Sequence, residues 1–221
     1  MRLLSCSIGK KVVMAASGLM LFGFVIAHLL GNLMIFSGPD ALNGYAHHVR
    51  DFGPWLWLAR GALLLALIAH VATSIQLSRE NRAARPQPYR MSRYGETTLA
   101  ARTMLLSGGL LLAYLMYHLL HFTFRVTNPE LSHAIDRFGH AQVYAMVVRS
   151  FQIPAISFTY LLAMTLLWLH LMHGLGSAAQ TLGLNNERTL RAVSLAGRAI
   201  ALGIFAGYCS IPIGVLFGII R

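Results

Sequence analysis

Acidic residues are scarce in this 221-residue chain, with 7 Asp and Glu against 18 Lys and Arg, and none of the seven falls inside a long apolar stretch. That argues against a transporter or proton channel, whose path through a membrane needs ionisable carboxylates. Cysteine is nearly absent as well. Cys6 and Cys209 lie near opposite ends of the chain and, in the topology below, near opposite membrane faces, so no disulfide between them is expected. No C-x-x-C-H occurs, which excludes covalent attachment of a c-type haem, and two cysteines cannot cage zinc or an iron–sulfur cluster. Charged residues of either sign make up only 11% of the chain against 56% hydrophobic, and the mean hydropathy is positive. An ordinary soluble domain is thereby excluded.

What remains is apolar sequence in long runs. Crossing a bilayer core takes about 20 apolar residues, and five stretches qualify, roughly 12–36, 55–78, 99–124, 146–176 and 195–219. The first is too long for a signal-peptide core and lacks a convincing small-residue cleavage site, so it reads as a retained span. Lipid offers backbone groups no partner, so all five should be helices. The expectation is an all-α integral membrane protein, one membrane domain over 1–221, with the first four spans forming a bundle.

The net charge of +11 sorts by side. If the spans alternate, one face carries 12 basic residues: Arg2, Lys10, Lys11, Arg79, Arg82, Arg85, Arg90, Arg93, Arg102, Arg188, Arg191 and Arg198. The other carries 6: Arg50, Arg60, Arg125, Arg137, Arg149 and Arg221. The positive-inside rule puts the N-terminus in the cytoplasm and the C-terminus outside. Anionic lipid explains much of this charge and a docked cytoplasmic partner can use the rest; no nucleic-acid partner is expected. In the first outer connection ALNGYAHHVRDF suits a short surface helix, and in the second ELSHAIDRFGHA suits another. The inner connection 79–98 has the composition of an irregular loop. Pro154 and Pro212 are expected kink sites.

Against this background four histidines stand out: His28, His70, His118 and His170, one in each of the first four spans. An ionisable group inside a span is costly and marks function. A single such histidine is as easily a helix-linking residue, but four at matched depths favour metal ligation. Span one reads SGLMLFGFVIAHLLG and span three SGGLLLAYLMYHLLH, so in both Ser-Gly is followed by nine residues and then His-Leu-Leu. These spans run the same way, and His28 and His118 each lie roughly 25 Å from their starting face at about 1.5 Å per residue. His70 and His170, on spans running the other way, lie some 12 Å from that same face by the same rise. An outer pair and an inner pair result, roughly 12–15 Å apart. Each pair can close on one haem iron from both sides, which suits electron transfer rather than oxygen chemistry. Gly18, Gly23 and Gly31 around His28, Gly108 and Gly109 before His118, and Gly174 and Gly176 after His170 leave room for a flat macrocycle.

His121 and His173 follow three residues after His118 and His170, on nearly the same helix face. Repeat register favours His118 over His121, since the counterpart of His121 is Gly31; in span four the choice between His170 and His173 stays open on spacing. Either second histidine can instead bond a propionate or a quinone. His133 and His140 read as solvated loop histidines. His47 and His48 sit beside Arg50 and Asp51 near the outer level, and quinone chemistry needs hydrogen-bond partners and a proton carrier of this kind. The quinone-site candidates are Asn32, His47, Arg50, Asp51 and His121. Span five, without histidine, carries Gly203-x-x-x-Gly207 and Gly214-x-x-x-Gly218, patterns for close helix contact.

His28 in VIAHLLGN, His70 in LIAHVATS, Gly108 ten residues before His118 in MYHLLHF, and His170 in WLHLMHGLGSAAQTLG occur together with ALNGYAHH and YGETTL. In this order and spacing the chain resembles, over essentially its whole length, the five-helix dihaem cytochrome b anchors of bacterial succinate dehydrogenase and fumarate reductase complexes. The resemblance implies two b-type haems, a distal one on His28 and His118 and a proximal one on His70 and His170. The family's span-four ligand sits thirteen residues before a glycine, here Gly183, which points to His170 rather than His173. Ser17, Ser107 and His173 become candidate propionate or pocket contacts. The resemblance also implies a bacterial cytoplasmic membrane, menaquinone as the usual quinone, and an FAD flavoprotein with an iron–sulfur subunit on the cytoplasmic face. Dimers or trimers of such complexes are compatible with it. Haem subunits of other respiratory complexes, such as a hydrogenase or formate dehydrogenase, share the ligand logic. One departure is visible. Some fumarate reductases of the family carry a glutamate just before the span-four ligand, where this chain has Trp168 and Leu169.

Overall fold

The computed structural model describes residues 6–84, 103–131, 135, 139, 141–184 and 186–221. Arg2, Arg85, Arg90, Arg93, Arg102, Arg137, His133, His140 and the YGETTL segment lie outside the described residues. Helix α1 spans Ser7–Asn32 and tightens into a 3-10 turn over Leu33–Ser37. Helix α2, Pro39–Asp51, is the short helix expected from ALNGYAHHVRDF. Next come α3, Pro54–Ala83, and α4, Met104–His118, the latter running on as a π turn over Leu119–Thr123. Then follow a short α5, Val143–Phe151, and the long helices α6, Pro154–Thr181, and α7, Glu187–Leu216.

Five of these segments are long and apolar enough to cross a membrane: Ser7–Ser37, Pro54–Ala83, Met104–Thr123, Pro154–Thr181 and Glu187–Leu216. The shortest has 20 residues, about 30 Å at the helical rise, which matches a hydrocarbon core. Their outward faces are apolar too, with Leu65, Leu106, Phe158 and Leu195 all exposed. Helices apolar all round belong in lipid, and the protein is a five-helix, multi-pass, all-α membrane protein. Trp55 and Trp57 are exposed at the start of α3, and the Arg60 guanidinium lies 4.8 Å over the Trp57 ring. Such an aromatic–cation pair suits a membrane boundary.

Prolines set three of the helix starts: Pro39, Pro54 and Pro154 each occupy the first turn of α2, α3 and α6, where no backbone N–H is needed. This corrects two expectations. Span four starts at Pro154 rather than 146, because residues 143–151 form the separate helix α5. Pro154 therefore opens a helix instead of kinking one, whereas Pro212 does lie inside α7. The polar connection after span two begins later than expected, since α3 stays helical through Ala83. Most of ELSHAIDRFGHA, residues 132–134, 136–138 and 140, lies outside the described residues; beside it Pro129–Leu131 makes a 3-10 turn and Ile135 pairs with Ala141 in an antiparallel bridge.

Helices α1, α3, α4 and α6 form the bundle, and α7 packs along α6 and against α1. Ala201 and Ile204 of α7 meet Leu29 and Leu171 in one buried cluster, and Tyr208 donates its hydroxyl proton to the Val25 carbonyl at 2.9 Å. Of the α7 glycines, Gly207 serves close helix contact, for a β-carbon there would lie 3.0 Å from Leu29 Cδ2. Nothing approaches Gly203, while Gly214 meets Ile220 and Gly218, at φ +69°, turns the chain after α7. Within the single chain, then, Gly207 and Gly214 meet neighbouring side chains and Gly203 faces open space.

Three polar contacts show which helix ends share a side. Lys10 near the start of α1 is ion-paired with Glu80 near the end of α3, so a buried cation keeps its counter-charge. At the opposite side Tyr144 N–H donates to Asn43 Oδ1 at 2.9 Å and the Tyr144 hydroxyl to the Arg221 carbonyl at 3.0 Å. The Cys6 sulfur accepts from the Gly9 N–H at 3.3 Å, Cys209 is buried, and no disulfide joins them. Helix α6 ends in a glycine stop: Gly183 takes φ +90°, Leu184 N–H bonds the Ala179 carbonyl and Gly183 N–H the Gln180 carbonyl, a six-to-one plus five-to-two closure. Gly183→Ala should cost about 1–2 kcal/mol, the penalty of a β-carbon in left-handed backbone. Gly203→Ala should cost nothing, a contrast readable as the midpoint of thermal unfolding followed by circular dichroism in detergent.

Candidate histidine-pair centres

The four intramembrane histidines come together in two pairs. His28 faces His118 with ring centroids 5.9 Å apart, and His70 faces His170 at 6.3 Å. An imidazole nitrogen bonds a first-row metal at about 2 Å and lies about 1 Å from its ring centre, so two rings on opposite sides of one iron have centroids about 6 Å apart. Both pairs meet that spacing. The ring planes are strongly inclined, at 83° and 65°, so neither pair is a flat stack.

Three of the four rings are held by a partner on the Nδ1 side. His70 Nδ1 lies 3.1 Å from the Met14 carbonyl, which can only accept, so Nδ1 carries the proton and Nε2 is free to ligate. His170 Nδ1 lies 3.2 Å from Ser107 Oγ. That hydroxyl already donates its proton to the Met104 carbonyl at 3.1 Å, so it accepts from His170 and frees the same nitrogen. His118 Nδ1 lies 3.4 Å from the Tyr160 hydroxyl. His28 is held by packing: its ring stacks on Phe24 at 5.3 Å and 14°, with Tyr208 at 6.3 Å.

The Ser-Gly repeat has a second use that its spacing does not reveal. Gly18 and Gly108 lie against the histidines of the neighbouring helices, not those of their own. A β-carbon on Gly18 would sit 3.0 Å from His70 Cε1, and one on Gly108 would sit 3.4 Å from His170 Cε1. Met14, Ser17, Gly18 and His28 are matched ninety residues on by Met104, Ser107, Gly108 and His118. In each half one end of the repeat supplies a histidine and the other end seats a histidine of the next span. The Gly18-to-His28 interval puts the pairs about 15 Å apart along the bundle at the helical rise, at the upper end of the interval expected from sequence.

His121 belongs to neither pair. It is 2% exposed, with Nδ1 3.0 Å from the Tyr160 hydroxyl and Nε2 3.1 Å from Ser150 Oγ, so both ring nitrogens are taken by internal partners. His118 and His121 both turn toward α6, as their spacing implied, and both reach the Tyr160 hydroxyl. A π turn follows His118, with Phe124 N–H bonding the Leu119 carbonyl at 2.7 Å, five residues back instead of four, and His121 on that turn also reaches Ser150. Of the two span-four histidines, His170 is the one that meets His70 and Ser107. Ser17, a candidate pocket contact, is buried and donates to the Val13 carbonyl at 2.7 Å.

The remaining quinone candidates gather at the α2 side. His47 Nδ1 pairs with Asp51 Oδ2 at 3.0 Å, both exposed, and the His48 ring meets Phe52 edge-on at 5.3 Å. Burial first, and then the Arg50 charge, press the Arg125 guanidinium below its ordinary value, so Arg50 lies near the end of span three. The Asn32 amide donates to the His28 carbonyl at 2.7 Å, tying it to its own helix. Trp168 stacks on Phe205 at 5.4 Å, and its buried indole N–H has no hydrogen-bond partner.

Sequence reasoning missed Tyr160, Ser150 and the Met14 carbonyl as supports of the histidines. The repeated Met-x-x-Ser-Gly register could have found Met14; nothing in the sequence pairs Tyr160 or Ser150 with His121. No protein-family model, curated protein or solved structure matches the chain, so the functional assignment rests on these residues. Nitrogen NMR of the ring atoms should find His70 and His170 protonated at Nδ1. Ser107→Ala should abolish that preference at His170 and leave His70 unchanged.

Proposed function

We propose that this chain is a dihaem cytochrome b membrane anchor of a succinate dehydrogenase or fumarate reductase complex, passing electrons between membrane quinone and cytoplasmic partner subunits. The observation that carries the reading is the pair of imidazole gaps, 5.9 and 6.3 Å between ring centroids, each of a width suited to one axially ligated iron. Haem bound there would supply reversible one-electron transfer. His28 and His118 would hold the outer group, and His70 and His170 the inner one. Met14, Ser107 and Tyr160 orient their ligand rings by holding Nδ1, and Phe24 and Tyr208 pack His28 in place.

The complex is proposed from the resemblance together with the charge pattern. The side that carries Lys10, Lys11, Arg79, Arg82, Arg188, Arg191 and Arg198 is the cytoplasmic face of a bacterial inner membrane, where an iron–sulfur subunit and an FAD flavoprotein dock. The inner pair lies closer to that face. Menaquinone reacts at the opposite side near His47, Arg50 and Asp51, with the His47–Asp51 pair as proton carrier. Trp168, apolar-packed on Phe205, offers no carboxylate for a proton path beside the inner ligand.

Chain purified from membranes should give two b haems per polypeptide in a pyridine-haemochrome assay; one or none overturns the proposal. His118→Ala should remove only the outer haem. Asp51→Asn should slow quinone turnover by roughly 10²-fold, the usual worth of a general acid–base, with both haem spectra intact.

A further inference from the structure

Four side chains from three segments form one continuous hydrogen-bonded chain beside the outer pair. It runs from His118 Nδ1 to the Tyr160 hydroxyl at 3.4 Å, on to His121 Nδ1 at 3.0 Å, and from His121 Nε2 to Ser150 Oγ at 3.1 Å. Ser150 is fully buried, and His121 and Tyr160 are nearly so. Aromatic rings wall the chain in: Phe122 stacks on His121 at 4.0 Å, and Tyr114, Tyr117 and Phe151 meet Tyr160 within 6.0 Å. Because it ends on a serine without access to water, it is a closed brace and not a route to the surface.

Its polarity follows from simple proton counting. Each hydroxyl and each neutral imidazole has one proton to give. If Tyr160 donated to His118 Nδ1, the His118 proton would sit on Nε2 and block that nitrogen from iron. Ligation through Nε2 therefore requires His118 to donate to Tyr160, Tyr160 to donate to His121, and His121 to donate to Ser150. All three bonds then point the same way, and each donation leaves its donor a better acceptor for the bond before it.

Resting on the dihaem reading above, we propose that Tyr160 and His121 are positioning residues that set the redox balance of the outer centre through His118. An imidazole whose N–H is drawn toward a good acceptor is a more basic ligand, and a more basic ligand favours ferric over ferrous iron, which lowers the potential. His121 acts at one remove, by committing the Tyr160 proton and leaving the phenolic oxygen a better acceptor for His118. The inner pair has no counterpart of this length: His170 ends on Ser107 and His70 on a backbone carbonyl. The effect is thus confined to one of the two centres.

The test is a redox titration of both α-band components in the purified, haem-loaded full chain. Tyr160→Phe and His121→Leu should each raise the outer midpoint, by about 59 mV for every tenfold loss of ferric preference, and leave the inner midpoint where it is. His121→Gln, whose amide can still accept from Tyr160 and donate to Ser150, should restore the wild-type value. Ser150→Ala keeps all three rings and should give a smaller upward shift; it decides the matter if either ring variant sheds its haem. Unchanged outer midpoints with both haems bound overturn the proposal while leaving the dihaem reading intact. A wild-type chain without haem would overturn the dihaem reading, and this proposal with it.

Discussion

The inner pair depends on neighbouring helices coming close enough for a carbonyl or hydroxyl of one to reach a histidine ring of the other. At Gly18 a β-carbon would press on the His70 ring at 3.0 Å, whereas at Gly108 one would just touch the His170 ring, at 3.4 Å. In lipid there is no hydrophobic gain from pressing two apolar helices together, so close packing and hydrogen bonds do the work. The Met14 carbonyl and Ser107 hydroxyl supply those bonds. They also satisfy polar groups that are expensive to leave bare at this depth. A single contact type therefore fixes α3 on α1, α6 on α4, and the orientation of both inner rings.

The outer pair is built differently, although it stands on equivalent turns of α1 and α4. One ring relies on stacking and the other on a phenol. The π turn after His118 carries His121, which shares the Tyr160 hydroxyl with His118 and reaches on to Ser150 of α5. Helix α5 earns its place in the same way, because Ser150 belongs to it. Ending α5 just before Pro154 lets that short helix pack under the start of α6.

Much of this was legible beforehand, for physical reasons. Long apolar runs have one solution in lipid, so the five helices followed from composition. The depth matching of the histidines followed from the constant rise of a helix, and both pairs formed as expected. What escaped was whatever depends on departures from regular geometry. Spacing put His118 and His121 close together, but it assumes a constant pitch and so gave no sign of the π turn after His118 or of Ser150 beyond it. Pro154 looked like a kink because a proline in an apolar run does not announce whether it begins a helix or interrupts one. The thirteen-residue interval from His170 to Gly183 has a plain structural meaning, as Gly183 is where α6 stops. Gly203 and Gly218 show the converse: the same small-residue motif marks a helix contact only where a neighbour is present.

The two halves of the bundle share a backbone plan without being interchangeable. The position equivalent to His121 in the first half is Gly31, and there a side chain has no room, since a methyl group on Gly31 would overlap the Tyr45 hydroxyl. Tyr45 comes from α2, the surface helix that follows span one. A designer who transplanted the second hairpin onto the first, to build a symmetric version of this bundle, would meet a collision at this one residue. To lift it, the exposed Tyr45 ring would have to turn away or give place to a smaller side chain.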